Sequence, residues 1–373
     1  VVQMNDNYEI MTKMALPAPI PVFLFNNPKP RNPYPPFSFP HFCSRVLISA
    51  APRCSPKPPP PLAPVTVGTN TTGWSEFAEN VSGEWLGHGA EFSIDGVPIE
   101  LPERAVPEAF REWEVKLFDW QIQCAALAVP EEPTPAVSYK LIKLLPTVGC
   151  EADAATPYDI DERKIGGVNS GVSAFAYQSS GCYVAVWPAA NHGGHLRSLE
   201  LEHCLVDPRK NGSRVRILQS VQLKDGVGMS LQKIGVFCEQ WYGPFRNGEE
   251  MGGCGVRDSP FASTDAIRGS EVSGVWQQGP AAKATFQAPK ANIFQELREE
   301  LGDGRRSIDR NEGDLILLPR RLWCSLKETG GGETCGEVGW VLDYGHALTS
   351  RCIFSSNVEL KEMAVVHETA EIV

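Results

Sequence analysis

The sequence predicts a mainly β protein: two tandem antiparallel β-barrels with few short helices, preceded by a disordered, proline-rich N-terminus. Three observations point there. Apolar and polar residues alternate with period two at many places after about residue 68, helical periodicity is confined to two short stretches, and a Trp followed two residues later by Gly occurs once in each half. The assignment of residues is 1–65 to an unfolded leader, 66–232 to the first barrel and 233–373 to the second.

The leader is compositional. Of the 31 prolines, 16 fall in residues 1–65, including Pro58 to Pro61, and such a stretch builds neither helix nor sheet. Between Glu9 and Glu76 there is no acidic residue, while Lys13, Lys29, Arg31, Arg45, Arg53 and Lys57 supply positive charge. Acid-free, basic segments of this kind read as organelle import peptides. Met14-Ala15-Leu16 reads as a start, with residues 1–13 upstream of it. Without residues 1–65 the chain carries 28 basic against 43 acidic side chains, a net charge of −15.

The elements follow in order. Trp74 to Glu79 reads as a short helix before the first strand. Trp113, Val115 and Leu117 alternate with Glu112, Glu114 and Lys116 as a strand, and Leu199, Leu201, His203 and Leu205 repeat the pattern. Arg214 to Leu223 reads as a half-buried strand with Val215, Ile217, Val221 and Leu223 inward and Arg214, Arg216, Ser220 and Gln222 outward. Asp225-Gly226 then favours a tight hairpin, so Met229 to Tyr242 returns antiparallel. Ile293, Phe294, Leu297 and Leu301 share one helical face, and Gly302 stops that helix. Strands follow at 315–318, 323–327, 338–344, 351–354 and 358–366. Gly83-Glu84-Trp85-Leu86-Gly87 is echoed by Glu239-Gln240-Trp241-Tyr242-Gly243 at an offset of 156, which makes Trp85 and Trp241 equivalent barrel plugs. A competing echo, Ser82-Gly83-Glu84-Trp85 against Ser273-Gly274-Val275-Trp276, has an offset of 191 and divides the chain less evenly.

Composition restricts function. With 373 residues, 42% hydrophobic, the chain has material for a sizeable core, and no window holds the roughly 20 apolar residues of a membrane-spanning helix. A formal charge of −11 gives no basic field for a duplex phosphate backbone, and membrane insertion is not expected. The eleven cysteines contain no C-x-x-C pair and read as reduced, buried thiols. His192 and His195 in a Gly-rich turn, with His203-Cys204 after them, are zinc-competent residue types without a fixed four-ligand set. No G-x-S-x-G elbow, phosphate-binding loop or dinucleotide fingerprint appears, so no catalytic, cofactor or metal residue is assigned. Gly252-Gly253-Cys254-Gly255 reads as a loop, and Asp159, Asp161 and Glu162 as an acidic turn able to attract a cation.

What stands out is arginine. Arg305, Arg306, Arg310, Arg320 and Arg321 crowd 17 residues of an otherwise acidic chain, and guanidinium groups grip carboxylates bidentately. They are the candidate protein-binding residues, directed at an acidic partner surface.

Three strings carry a resemblance: Gly73-Trp74-Ser75-Glu76-Phe77 leading to Gly83-Glu84-Trp85; Leu145-Pro146-Thr147-Val148-Gly149-Cys150-Glu151-Ala152-Asp153; and Cys238 to Gly248, running on to Cys254 and Arg257-Asp258-Ser259. On these the sequence resembles the plant chloroplast family called biogenesis factor required for ATP synthase, over about residues 68–370. The resemblance implies two calycin-like barrels and a chloroplast stromal assembly factor, chaperone-like and not an enzyme. It would engage the ATP synthase β and γ subunits while the catalytic head is built. A different class also suits a barrel: a plastid carrier of a small apolar ligand such as a tetrapyrrole, lipid or carotenoid. That reading requires an internal cavity of roughly 300 Å³ or more. A metal-dependent hydrolase would require His192, His195 and His203 to converge.

Overall fold

The computed structural model describes residues 73–371 except 131–134, 149–155, 168–169, 189–197, 210–211, 225–227, 250–258, 287–292, 300–305 and 344. The leader 1–65, the His192/His195 turn, the Asp225-Gly226 turn, the Gly252 to Gly255 loop and Arg305 lie outside the described residues.

Gly73–Val81 forms α1, with Trp74, Phe77 and Val81 on one buried face. Its rings close on an aromatic cluster: Trp74 meets Tyr177 edge-on at 5.1 Å, and Phe77 lies 5.0 Å from Tyr177. Gly83, at φ +139°, turns the chain out of the helix into β1 (Gly83–Phe92). After a short α2 (Glu108–Glu112) come β2 (Asp119–Val129), β3 (Ala136–Leu144), β4 (Pro157–Gly166), β5 (Ala174–Tyr177), β6 (Tyr183–Pro188), β7 (Ser198–Val206), β8 (Ser213–Lys224) and β9 (Gly228–Gly243). Beyond them lie β10 (Gly274–Thr285), β11 (Phe294–Glu296), β12 (Arg298–Glu299), β13 (Arg306–Arg310), β14 (Ile316–Leu318), β15 (Leu322–Thr329), β16 (Glu333–Asp343), β17 (His346–Phe354) and β18 (Leu360–Ala370).

These strands make two curled, barrel-like sheets. The first is ordered β11-β5-β6-β7-β8-β9-β1-β2-β3-β4 and is antiparallel except where β11 joins β5. The second is ordered β12-β10-β18-β17-β16-β15-β14, with β13 also on β10. Alternation sends Val215, Ile217 and Val221 of β8 to one side, where they share a core with Leu318, Leu322, Val338 and Leu348 of the second sheet. Trp85, Tyr139, Tyr183, Trp187 and Phe237 point the other way and fill the first sheet's concave interior. The second interior is smaller and holds Val272, Trp276, Trp323, Val341 and Ala347. Among the described residues no helix is long and apolar enough to cross a membrane.

Several sequence expectations are corrected. The boundary at 232/233 falls inside β9, a continuous strand paired with both β8 and β1, so the first sheet's main run extends to Gly243. Ile293 to Leu301 is not a helix over its described part. Phe294–Glu296 pairs with β5, Arg298–Glu299 pairs with β10, and Phe294 packs 5.1 Å from Phe175. A helix that short is marginal in water, and two sheet edges offer its backbone more. Nor is Trp113 to Leu117 a strand. Pro107 opens α2, Trp113 ends it, and Glu114 at φ +55° breaks the alternation.

Trp241 is no core plug either. Trp85 is 1% exposed and Trp241 48%, and the two are cross-strand neighbours in one sheet. The echo at offset 191 is the structural one. Gly274, at φ +95°, opens β10 as Gly83 opens β1, and Trp276 is buried as Trp85 is.

Candidate functional site

The first interior contains charge where alternation alone predicts solvent. Arg214 and Arg216, read as outward-facing, are both buried. β8 is covered on both faces because the sheet curls around its arginine side while the second sheet covers its valine side. Arg214 Nε donates to Glu239 Oε2 at 2.7 Å. Arg216 donates through Nε and Nη2 to the two Glu239 oxygens, 2.9 Å each, and through Nη1 to Glu202 at 3.1 Å. Glu202 also accepts from the Tyr139 and Tyr183 hydroxyls and the Trp187 indole, all at 2.8 Å. The Arg214 guanidinium lies 3.9 Å from the centre of the Trp85 ring. Burial pushes the Glu239 carboxyl up, but Arg214 and Arg216 outweigh it and hold it below its ordinary value; Arg216 and Arg163 do the same for Glu202. Two cations and two anions thus cancel, and the cluster acts as a filled polar core.

Such a cluster leaves a trace in sequence that the alternation argument passed over. Glu239 follows Ile234 to Cys238 in an otherwise apolar run, and Glu202 sits between Leu201 and His203-Cys204-Leu205. A lone acid inside an apolar strand asks for a buried cation, and Arg-x-Arg on the adjacent strand supplies it.

The second interior repeats the device. Arg310 donates to Glu368 at 2.7 Å and to Glu337 at 3.0 Å, and stands 4.5 Å from the Trp323 ring centre. Burial lifts the Glu337 carboxyl above its ordinary value despite Arg310. Arg310 is therefore a correction to the predicted binding patch: at 4% exposure its guanidinium is committed to the core. Arg306 is exposed on β13. Arg320 and Arg321 form the β14–β15 turn, and of the four described arginines of that patch these two come together beside a cleft.

That cleft, about 300 Å³, lies on the seam between the sheets. Arg209, Ser213 and Gln240 line it from the first sheet's side, and Arg320, Arg321 and Trp340 from the second's. Arg209 pairs with Asp207 at 3.2 Å and with Asp343, and Arg321 reaches Glu271 at 3.6 Å. Arg320 makes no ion pair among the described residues and donates to the Ser259 carbonyl at 2.9 Å. Arg320 and Arg321 have φ of +60° and +62°. Left-handed backbone costs a side-chain-bearing residue about 1–2 kcal/mol.

Beside the cleft, the pairing of β1 with β9 slips by one residue at Glu84/Trp85, leaving Tyr242 without a partner on β1. The bulge turns Trp241 and Tyr242 outward, 48% and 53% exposed. Gln240, the residue before them, lines the cleft.

A separate cavity of about 340 Å³ opens on the first sheet's concave face. Its walls carry Lys143, Arg163 and Arg216 opposite Asp159, Asp161 and Glu200, which makes it a poor host for an apolar molecule. The acids proposed as a cation site are already matched: Asp161 with Arg163 at 2.8 Å, Glu162 with Lys140 at 3.6 Å and Asp159 with Lys143 at 3.9 Å. His203 lies between the sheets, its Nδ1 2.8 Å from Ser350 Oγ. Burial pushes it down to about 3, so it is neutral at ordinary pH. Among the described residues no group of three or more His, Cys, Asp or Glu side chains is placed to hold a metal ion.

No family model and no curated protein matches the sequence. Among solved structures, a protein of unknown function of the DUF3598 family from Nostoc punctiforme is similar at 14% identity and TM-score 0.45, over 80% of this chain and 99% of that one. The outer membrane phospholipase A of Escherichia coli is matched at 10% identity and TM-score 0.17, over 80% and 98% of the two chains.

Proposed function

We propose that the chain is a protein-binding assembly factor, acting in the chloroplast stroma on the β and γ subunits of the ATP synthase catalytic head. One observation supports this above others: the exposed pair Trp241 and Tyr242 stands on the bulge of β9, inside the Cys238 to Gly248 string that carries the family resemblance. Large aromatic side chains turned into solvent by a backbone irregularity, beside exposed arginine, match the residue types that dominate protein interfaces. Aromatic rings and mutually neutralising ion pairs fill much of both interiors, which supports an outer surface rather than an internal chamber as the working part.

The test is capture from chloroplast stroma by the tagged chain, with bound proteins identified by mass spectrometry. The β and γ subunits are expected, and Trp241→Ala/Tyr242→Ala should lose them at an unchanged melting temperature. Recovery of a small molecule without either subunit would overturn the reading.

The 340 Å³ cavity favours a second reading, in which the first barrel carries a small ligand. Its charged walls select a polar, zwitterionic molecule over a tetrapyrrole or lipid.

A further inference from the structure

The buried ion clusters of the two interiors differ in their balance of charge. In the first, Arg214 and Arg216 stand against Glu202 and Glu239. In the second, one buried arginine serves two buried glutamates: Arg310 Nη2 lies 3.0 Å from Glu337 Oε1 and 3.0 Å from Glu368 Oε1. The two acids are not held alike. Glu368 also accepts from Arg310 Nη1 at 2.7 Å and from Gln278 Nε2 at 2.9 Å, the donor set of an anion. Glu337 accepts from Nη2 alone among the described residues. The other charges facing this layer are engaged elsewhere. Arg351 on β17 is the cross-strand partner of Glu337, but its ion pair is with Glu362 of β18 at 3.0 Å, and Lys283 of β10 reaches the same Glu362 at 3.5 Å. Lys327 of β15 pairs with Asp314 at 3.5 Å, and burial pushes the Cys335 thiol of β16 up to about 12, so it is neutral. Ionising both Glu337 and Glu368 would therefore leave one buried negative charge in excess.

We propose that the second interior is a proton-binding site: Glu337 keeps a proton where exposed carboxylates are ionised, and its carboxyl donates that proton to Ser325 Oγ. Ser325 is the cross-strand partner of Glu337 on β15, so the two side chains stand on the same face. Its hydroxyl oxygen is buried and has no hydrogen-bond partner among the described residues. A carboxylic acid O–H, unlike a second carboxylate, adds a donor to this layer without adding charge. Burial lifts the Glu337 carboxyl and Glu368 adds to the lift, against Arg310 and Arg351. The site makes the second sheet sensitive to pH and is independent of any partner. The stability it contributes is complete below the unfolded glutamate value of about 4.3 and is lost as pH rises through the higher folded value.

The experiment is urea unfolding of the full chain and of E337Q from pH 5 to 9, read as the ratio of their folding constants. The ratio cancels His203 and His367, whose burial acts in the opposite direction in both proteins. Glutamine stands in for the neutral carboxyl. The parent-to-variant ratio should therefore fall as pH rises, by up to about tenfold per pH unit, and level off once Glu337 ionises in the folded chain. A ratio that is independent of pH, or that rises with it, would overturn the proposal. E368Q is the control, because it removes the anion that holds Arg310, and near pH 6 it should lose at least about tenfold more in folding constant than E337Q does. Equal losses would show both acids ionised, against the proposal. Difference infrared spectra near pH 6 read the proton directly: a protonated-carboxyl C=O band should be present in the parent and missing from E337Q, and identical spectra in this region would sink the site. Repeating the ratio in an S325A background should move its break to lower pH, since the acceptor is gone. A break that stays put removes Ser325 from the site, and one that moves upward shows the serine serving the ionised form; either overturns the Ser325 assignment.

Discussion

The indoles of Trp85 and Trp276 make the same hydrogen bond: each donates Nε1 to the carbonyl four residues upstream, Val81 at 3.0 Å and Val272 at 2.8 Å. Each follows a glycine of positive φ by two residues and sits on the first long strand of its sheet. The indole therefore pins the preceding helical turn, α1 in the first case and the 3-10 turn Gly269–Glu271 in the second, to the strand at each barrel's opening.

The consequence is a matched pair of stability effects. Trp85→Ala and Trp276→Ala should each cost about 3–5 kcal/mol, whereas Trp241→Ala, on the exposed shoulder, should stay within about 0.5 kcal/mol. Urea unfolding of the three variants checks this, and a Trp241→Ala cost near that of Trp85→Ala would contradict the assignment.

Glu239 accepts from two buried arginines and its own side chain is buried. Glu239→Gln keeps the volume but leaves Arg214 and Arg216 facing a neutral amide, which should cost about 3–5 kcal/mol. Because the pair is buried, the loss should be nearly independent of salt between low and moderate ionic strength. Denaturation curves at two salt concentrations measure both quantities.

How far the sequence speaks for the fold depends on which physical rule governs each segment. α1 is legible because Trp74, Phe77 and Val81 repeat at helical spacing. The β8 to β9 hairpin is legible because its two strands alternate, and they pair antiparallel. Alternation says only that side chains face two ways. It does not say that the arginine side of β8 is the inside of a barrel, and that depends on Glu202 and Glu239 from neighbouring strands. The binding patch suffers the same blindness. Arg306, Arg310, Arg320 and Arg321 are close in sequence, yet β13 turns Arg310 inward and the next turn displays Arg320 and Arg321 at the seam. Offset 191 is the harder repeat to accept because it leaves halves of unequal length; the two helix-to-strand corners decide in its favour.

His203 provides a pH signature. Its folded value lies near 3 against an ordinary 6.5, so the unfolded chain takes up a proton first as pH falls. The stabilisation is complete above about 6.5 and is lost progressively below it, with a slope of up to about 1.4 kcal/mol per pH unit. Burial lowers His367 as well, which adds to the same slope. Unfolding free energies measured from pH 7.5 to 5, above the range of ordinary carboxylates, should fall with pH in the parent and fall less steeply in His203→Gln. An identical slope in the variant would mean that His203 takes up its proton in the folded state.

The last prediction turns on Gly339, the cross-strand partner of Trp323 on β16. A Cβ at this glycine would overlap the Trp323 ring, which occupies the space above the backbone, and the same ring stands 4.5 Å from the Arg310 guanidinium. Gly339 has no positive φ, so its backbone accepts alanine and any cost must be steric. On an open strand, glycine to alanine stabilises by about 0.4–1 kcal/mol through the unfolded state. At Gly339 the sign should reverse: alanine pushes the indole toward Arg310 and disturbs the bonds to Glu337 and Glu368, at a cost of about 1–3 kcal/mol. Gly330→Ala, where nothing lies within 4 Å of the added carbon, is the control and should be neutral or slightly stabilising. Shortening the neighbour provides the second check. Trp323→Leu alone opens a cavity, but combined with Gly339→Ala it should cost less than the sum of the two single changes, because the leucine vacates the space the new methyl needs. Strict additivity in urea unfolding would show that the indole and the glycine do not share that space.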